Sequence, residues 1–351
     1  MDQQPAQVSN SPQQAASTAP RSWTAAIGYV VAAACLVWVF HDVRFDELFR
    51  DIEAMNWWLV ALAVGFDILS YLCQGWRWSL LLHPRGRLSV LRATQAIYAG
   101  LFVNEILPMR IGEVLRIYLA SRWLTVDFTT IVSSVLVERL FDAIWLALAA
   151  AVTILAVPLP RDLVNAEELL AVIVLAALAL FVYLVMKKRP VLPAEISRHG
   201  FRSGLLRITG NLSSGIRDIG RSRYMYESLG VSGLFLIFQV LAFWLVMWAY
   251  GLRLSFWQGT VVVLILHLGT MIPSAPSNIG TYQFFTVVGL TQFGVEKTTA
   301  TGFSVVVFLI LTIPLWILGI FAFGRAGLTM RQLRTDLPRW GKRRGEEVAS
   351  S

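Results

Sequence analysis

Long apolar runs constrain the fold of this chain more than any other feature. A helix needs about 20 apolar residues to cross a bilayer. Six runs meet this length, at residues 22–41, 57–82, 128–157, 166–186, 230–250 and 299–323. Of the 351 residues, 56% are hydrophobic and 15% are charged, whereas soluble domains carry about 25% charge. The sequence therefore predicts an all-α, polytopic membrane protein with about six transmembrane helices.

Two further apolar stretches, near 92–121 and 254–290, are interrupted by proline and glycine. Both residue types break the helix that satisfies backbone groups in lipid. Irregular backbone at membrane depth is tolerated only where it packs in protein or lines a wet cavity. We therefore predict two broken, re-entrant hairpins, each returning to the side from which it enters.

The chain contains an internal repeat. The segment Pro-Met-Arg-Ile-Gly at 108–112 matches Pro-Ser-Asn-Ile-Gly at 276–280, which lies 168 residues later. The flanking spans shift by about the same distance, so each unit contains a span, a broken hairpin and a span. The units cover about 57–157 and 230–323, and the run 166–186 between them reverses the second. The sequence predicts an inverted-topology repeat, which supports alternating access around a site at the membrane midplane.

Basic residues set the expected orientation. They concentrate in 83–127, in the loop 187–229 and after residue 324, and such loops face the cytoplasm. Both termini are then cytoplasmic. We expect a disordered tail at 1–21, a single transmembrane domain at 22–325 and a basic tail at 326–351. The formal net charge of +8 is explained by these loops, so no nucleic-acid partner is expected.

The sequence gives no pattern for a metal or a cofactor. Cys35 and Cys73 lie in apolar runs and indicate neither a disulfide framework nor a metal site. The four histidines are scattered and have no paired-ligand spacing. His267 is interpreted as an ordinary helix contact.

The first broken element carries the strongest functional signal. Its charges coincide with helix-breaking residues, and the planar guanidinium of Arg110 suits phosphate. Backbone N–H groups freed at the break favour an anion at a helix N-terminus. The predicted substrate-binding residues here are Asn104, Glu105, Pro108, Arg110, Gly112, Glu113 and Arg116. The alternative is a cytoplasmic amphipathic hairpin with solvated charges.

The second broken element has no charge between residues 273 and 283. It offers hydroxyls, amides and exposed backbone, which suit neutral or zwitterionic contacts and a hinge. The predicted substrate-binding residues are Pro276, Asn278, Gly280, Tyr282 and Gln283. The alternative is a plain loop between two helices.

Ionisable residues inside the spans form a second group of candidates. Asp67 and Arg77 belong to one polar stripe of 57–82, which is either a cavity wall or a set of helix contacts with Arg77 snorkelling near the inner end. Glu138 and Asp142 lie four residues apart and would repel unless one pairs with Arg139 or Arg77, or holds a proton. We predict a proton or charge relay, with a structural ion-pair cluster as the alternative.

At these motifs the chain resembles the lysylphosphatidylglycerol synthase transmembrane-region family. The resemblance covers about 22–325 and rests on Asn-Glu-Ile-Leu-Pro-Met-Arg-Ile-Gly-Glu-Val-Leu-Arg at 104–116 and Pro-Ser-Ala-Pro-Ser-Asn-Ile-Gly-Thr-Tyr-Gln at 273–283. The family usually has Pro-Gly-Gly-x-Gly followed by Glu in the second motif. Ser277, Asn278 and Gln283 stand in those places here, so this motif carries no carboxylate.

The resemblance implies a bacterial inner-membrane protein that handles lipids. In multiple peptide resistance factors this region is a lipid flippase fused to a soluble aminoacyl transferase. No soluble segment of this chain is long enough for that transferase, so we do not expect it to make lysylphosphatidylglycerol. Other relatives are associated with hopanoid handling or polyprenol-linked glycosylation.

The leading hypothesis is a flippase for a phospholipid or a polyprenyl- or hopanoid-type lipid, with anionic or phosphate headgroups as partners and no cofactor. One alternative is a membrane-embedded glycosyl or acyl transferase, or its accessory subunit, in which Glu105, Glu113 and Asp142 supply a general base. A third hypothesis is a homo-oligomer or membrane partner that recruits a cytoplasmic lipid-modifying enzyme.

Overall fold

The computed structural model describes residues 23–41, 52–107, 110–126, 128–157, 161–186, 201–271 and 275–327. The described chain is all-helical. Its helices are α1 (Trp23–Phe40), α2 (Trp57–Leu82), α3 (Val90–Ile106), α4 (Ile111–Leu124), α5 (Phe128–Ala156), α6 (Arg161–Met186), α7 (Phe201–Gly220), α8 (Tyr224–Ala249), α9 (Phe256–Thr270), α10 (Thr281–Thr291) and α11 (Lys297–Arg325). A 3₁₀ turn, Pro276–Asn278, lies between α9 and α10. The predicted tails 1–21 and 328–351 lie outside the described residues.

The membrane-spanning prediction is confirmed. Within the described residues, α2, α5, α6, α8 and α11 are each long and apolar enough to cross a bilayer. The part of α1 with described side chains, Tyr29–Phe40, is a shorter apolar stretch. The chain is therefore a multi-pass helical membrane protein, as expected from composition.

Both apolar stretches that contain proline and glycine are broken helices. The first divides into α3 and α4, and the second into α9, the 3₁₀ turn and α10. The helices have capped ends: Asn56 and Ser89 begin α2 and α3, and a capping box formed by Ser255 and Gln258 begins α9. Whether the hairpins re-enter the membrane stays a prediction.

The second half of the protein repeats the helix order of the first. Helices α2 to α5 have 26, 17, 14 and 29 residues, and α8 to α11 have 26, 15, 11 and 29. Helix α8 begins at Tyr224, not at residue 230 as the apolar run indicated, because its first turn carries polar residues. The sequence loop 187–229 therefore contributes α7 and the start of α8.

The two units pack in a reciprocal way. The first helices of the units, α2 and α8, share the largest interface, and each hairpin packs against the last helix of the other unit: α3 against α11, and α9 against α5. This exchange is the pattern that a pseudo-two-fold axis produces. It brings the two breaks together at the centre of the molecule. The opposite orientation of the units in the membrane stays a prediction.

Candidate functional site

The two helix breaks contact each other directly. Arg110, which begins α4, donates from Nη2 to the carbonyl of Thr270, the last residue of α9, at 2.7 Å. The Ser277 hydroxyl donates to the Glu105 carbonyl at 3.2 Å. Each break thus satisfies a carbonyl at the end of the other unit's helix, where intrahelical partners are lacking. The hydrogen bonds tie the two repeat units together at their irregular points.

The first break depends on close backbone packing. A Cβ added to Gly112 would lie 1.7 Å from the Gly100 carbonyl oxygen, so α3 and α4 touch through their glycines. Asn104 accepts a hydrogen bond from the Gly112 N–H at 2.7 Å and so caps α4 from across the hairpin. Of the predicted residues, Gly112 is therefore a packing residue. Pro108 lies outside the described residues.

The second break places residues other than glycine in the left-handed region. Ser277 and Asn278 have φ of 59° and 52°, and Gly280 has φ of 89°. Arg110, 168 residues before Asn278, has φ of 53°, so the matching positions of the two breaks share one conformation. Glycine adopts this conformation freely, which explains why the family has glycines where this chain has Ser277 and Asn278.

Gln283 and Pro276 have local roles in the second break. The Gln283 side chain accepts a hydrogen bond from the Gly280 N–H at 2.7 Å and caps α10. Pro276 begins the 3₁₀ turn. Gln283 is buried and lines neither cavity described below. A carboxylate could make the same cap, so the change from the family's Glu leaves this contact in place.

Six ionisable side chains form a closed ring of alternating charge. Arg77 on α2 pairs with Glu138 and Asp142 on α5. Arg116 on α4 also pairs with Glu138, at 2.6 Å, and contacts Glu113 at 3.3 Å. Arg139 closes the ring through Glu113 at 2.5 Å and Asp142 at 3.5 Å. The ring carries three positive and three negative charges and joins α2, α4 and α5.

Burial changes from one side of the ring to the other. The side chains of Arg77, Glu138 and Arg116 are 0%, 0% and 3% exposed, whereas those of Glu113, Asp142 and Arg139 are 25%, 28% and 46% exposed. The prediction that one acidic residue pairs with Arg77 or Arg139 is confirmed. The snorkelling interpretation of Arg77 is wrong, because its guanidinium is fully enclosed among its partners.

Neutral groups complete the buried side of the ring. Gln74 donates to Glu138 at 3.2 Å, and Arg77 donates to the Ser232 hydroxyl at 3.3 Å. The Arg116 guanidinium lies over the Trp78 ring, 4.8 Å from its centroid. Buried charges are tolerated only when paired and hydrogen-bonded in this way. This half of the ring is a rigid support for the exposed half.

The exposed half of the ring lines a cavity of about 400 Å³ between the two units. Its polar wall includes predicted site residues from both halves of the chain, namely Asn104, Glu105, Arg110, Glu113, Arg139, Asp142 and Asn278. Its apolar wall is formed by side chains of α3, α5, α6 and α8, including Leu101, Leu146, Leu170, Phe235 and Leu236. A charged wall faces an apolar wall within one cavity.

A second cavity of about 310 Å³ adjoins the first through shared lining residues, among them Tyr71, Glu105 and His267. It contains the predicted residues Asp67 and Tyr282 and is lined by no arginine or lysine. In the described part of the chain, no hydrogen bond to the Asp67 carboxylate is found, although the residue is buried. Asp67 therefore faces the second cavity, away from the ring.

Three cavity contacts were missed by sequence reasoning. His267 lines both cavities, and its ring lies 2.9 Å from the Val263 carbonyl and 3.2 Å from the Gln239 side chain. The Trp316 indole donates to the Glu105 carboxylate at 3.2 Å. Single polar residues in apolar helices give no periodic signal. Gln239 had one available signal, since it lies 168 residues after Tyr71.

The described residues include no cluster of three or more His, Cys, Asp and Glu side chains that could hold a metal ion. The arrangement instead offers arginines, carboxylates and an apolar wall in one space. These features define a class: a multi-pass helical membrane protein with two interrupted hairpins around a charged internal cavity.

The chain belongs to the family described as the lysylphosphatidylglycerol synthase TM region, whose model matches residues 25–319. It is also similar to a "UPF0104 membrane protein" of Methanothermobacter thermautotrophicus. The two are 23% identical over 305 residues, which cover 80% of this chain and 86% of that protein. The resemblance found from the motifs is confirmed, and the family relates the chain to lipid handling.

Proposed function

We propose that this protein moves a lipid with a phosphate-bearing headgroup between the two leaflets of its membrane. The observation that supports this most directly is the cavity between the two breaks, in which charged and apolar walls face each other. A ligand that suits both walls is amphipathic. The charged wall suits a headgroup, and the apolar wall suits the first part of the acyl chains.

The energetic task of such a protein is to carry a polar headgroup past hydrocarbon. A charged group at the bilayer centre costs about 2.5–3.5 kcal/mol even on insertion scales. Arg110 and Arg139 supply positive charge along the cavity, and Glu105, Glu113 and Asp142 balance it. The headgroup then exchanges water for fixed counter-charges, so its transfer is less costly than through lipid alone.

The repeat supplies a route for alternating exposure of this cavity. Each hairpin packs against the other unit, and the breaks meet through hydrogen bonds between Arg110 and Thr270 and between Ser277 and Glu105. A rocking motion of one unit against the other would open these contacts on one side at a time. The breaks act as hinges because their backbone is not held by helical hydrogen bonds.

We further propose that the protein lies in a cell inner membrane with both termini in the cytoplasm. The support is the concentration of basic residues in 83–127, 187–229 and the tail, which the positive-inside rule assigns to the cytoplasm. Labelling of single cysteines at residues 87, 207 and 335 with an impermeant thiol reagent in intact cells tests this topology. Protection of all three is expected, and labelling of any one from outside contradicts the arrangement.

The transport proposal is tested by reconstitution. The purified chain is placed in liposomes with a fluorescent phospholipid, and loss of fluorescence to an impermeant quencher measures movement between leaflets. We expect faster exchange than in empty liposomes for at least one of an anionic, a zwitterionic and a polyprenyl phosphate lipid. Exchange equal to that of empty liposomes for all three would contradict the proposal.

A further inference from the structure

Arg139 is held differently from the other two arginines of the ring. Its side chain is 46% exposed and lines the larger cavity, whereas Arg77 and Arg116 are almost completely enclosed. Arg110, which begins α4, lines the same cavity. The ring therefore presents one accessible guanidinium beside a second one that lies outside it.

Arg139 can leave the ring without leaving a carboxylate unpaired. Glu113 keeps its contact with Arg116 at 3.3 Å, and Asp142 keeps its ion pair with Arg77. Removal of Arg116 or Arg77 would instead take one of the two arginines from the fully buried Glu138. The pairing pattern singles out Arg139 as the member whose departure costs least.

The contacts that hold Arg139 are themselves open to exchange. Glu113 at 2.5 Å is the closer partner, and Asp142 is at 3.5 Å. Both carboxylates line the cavity. An entering anion can therefore replace them as the partner of Arg139 while the rest of the ring stays connected as an open chain from Glu113 to Asp142.

We infer that Arg139 is an exchangeable arm that leaves Glu113 and Asp142 to bind the anionic phosphate ester of a ligand, which it clamps together with Arg110. A guanidinium offers five N–H donors in a planar fork that matches phosphate oxygens. Arg110 uses one nitrogen on the Thr270 carbonyl, so other N–H groups face the cavity. This inference rests on the proposed function and specifies the group that the site recognises.

Equilibrium binding to the full chain in detergent tests the inference without requiring transport. The probes are dioctanoyl phosphatidylglycerol, dioctanoylglycerol, which lacks the phosphate, and glycerol phosphate, which lacks the chains. We expect Arg139→Gln to weaken binding of the phosphatidylglycerol by about 10-fold or more, as for loss of a charge-assisted hydrogen bond. Binding of dioctanoylglycerol should not change. Arg92→Gln, at an exposed site on α3, is the matched control and should bind like the parent protein.

A second variant separates exchange from a structural role. Glu113→Gln removes the closer competitor for Arg139 and should tighten binding of the phosphatidylglycerol by about 3-fold. Damage to the fold would not produce tighter binding. Arg139→Lys keeps the charge but loses the fork, so its affinity should lie between those of the parent and Arg139→Gln. An affinity of Arg139→Gln within about 2-fold of the parent, or weaker binding by Glu113→Gln, overturns the inference.

The probes also distinguish the source of the phosphate. Phosphatidylglycerol binding that is about 10-fold tighter than glycerol phosphate binding supports a lipid ligand, because the apolar wall then contributes. Equal affinities overturn the lipid assignment. Binding that depends on Arg139 without transport in liposomes would contradict the proposed function alone. Transport that is unaffected by Arg139→Gln would contradict this inference alone.

Discussion

The two repeat units share one backbone plan but differ in charge. Helices α2 to α5 carry ten Asp, Glu, Lys and Arg side chains: Asp67, Arg77, Arg92, Glu105, Glu113, Arg116, Arg122, Glu138, Arg139 and Asp142. In α8 to α11 such side chains occur only near helix ends, at Glu227, Lys297 and Arg325. Both units nevertheless form a broken hairpin with a left-handed residue at the matching position. A break of this shape therefore does not require the ring, and we interpret the ring as part of the ligand site.

The largest expected effect tests the buried half of the ring. Glu138→Gln leaves two enclosed arginines with one fewer carboxylate, and breaking a buried ion pair in this way costs about 3–5 kcal/mol. The matching residue of the second unit is Val307, since both lie ten residues after the start of their helix (138 − 128 and 307 − 297). Val307→Ala should cost about 0.8 kcal/mol for each of two methyl groups. Equilibrium unfolding in detergent measures both, and equal losses would mean that the units do not differ in this respect.

The glycines of the two breaks provide the next test. Gly112→Ala places a Cβ against the Gly100 carbonyl, and Gly280→Ala places one 2.3 Å from the Ala32 carbonyl at a positive φ. We expect each to lower the unfolding free energy by about 1–3 kcal/mol. Gly65→Ala, with open space around the added Cβ, is the control and should raise stability by up to about 1 kcal/mol. An unchanged melting temperature for Gly112→Ala would contradict the close approach of α3 and α4.

The side-chain caps separate stability from binding. Asn104→Ala removes the bond to the Gly112 N–H, and Gln283→Ala removes the bond to the Gly280 N–H. Each should cost about 0.5–2 kcal/mol. Because Asn104 lines the larger cavity and Gln283 does not, only the first should also change the affinity for dioctanoyl phosphatidylglycerol. Reduced lipid affinity of a folded Gln283→Ala protein would return Gln283 to the ligand site.

The smallest effect concerns the left-handed residues themselves. Arg110→Gly and Arg110→Ala both remove the guanidinium, but glycine adopts φ of 53° freely and alanine does not. The glycine variant should be more stable than the alanine variant by about 1 kcal/mol. Asn278→Gly and Asn278→Ala should differ in the same direction. A more stable alanine variant at either position would show that the conformation assigned to that break is wrong.

Much of the fold followed from the sequence because long apolar runs are strong signals. The bounds of α2 were predicted to the residue, and those of α5 differ by a single residue. The reciprocal packing of the hairpins was not predicted, since a repeat fixes helix order but not which helices touch. The start of α8 was missed because polar residues in its first turn look like loop.

The candidate site was predicted in membership but not in arrangement. All six ring residues had been singled out, because ionisable groups inside spans are rare. Their closure into a ring depends on α4 approaching α5, a tertiary contact that no sequence pattern encodes. For the same reason, Gln283 had been assigned to substrate from its motif, whereas the structure shows it capping its own helix.

The central claim is that the cavity between the two breaks is the path of the lipid headgroup. Ala143 lines this cavity, and Leu155, 89% exposed, lies on the same helix outside it. Each is changed to cysteine in a protein with Cys35→Ser and Cys73→Ser, and transport in liposomes is measured before and after a bulky methanethiosulfonate reagent. We predict that modification at Ala143→Cys slows exchange by about 10-fold or more, that reduction restores it, and that Leu155→Cys is unaffected. An unchanged rate with Ala143→Cys fully modified would contradict the account.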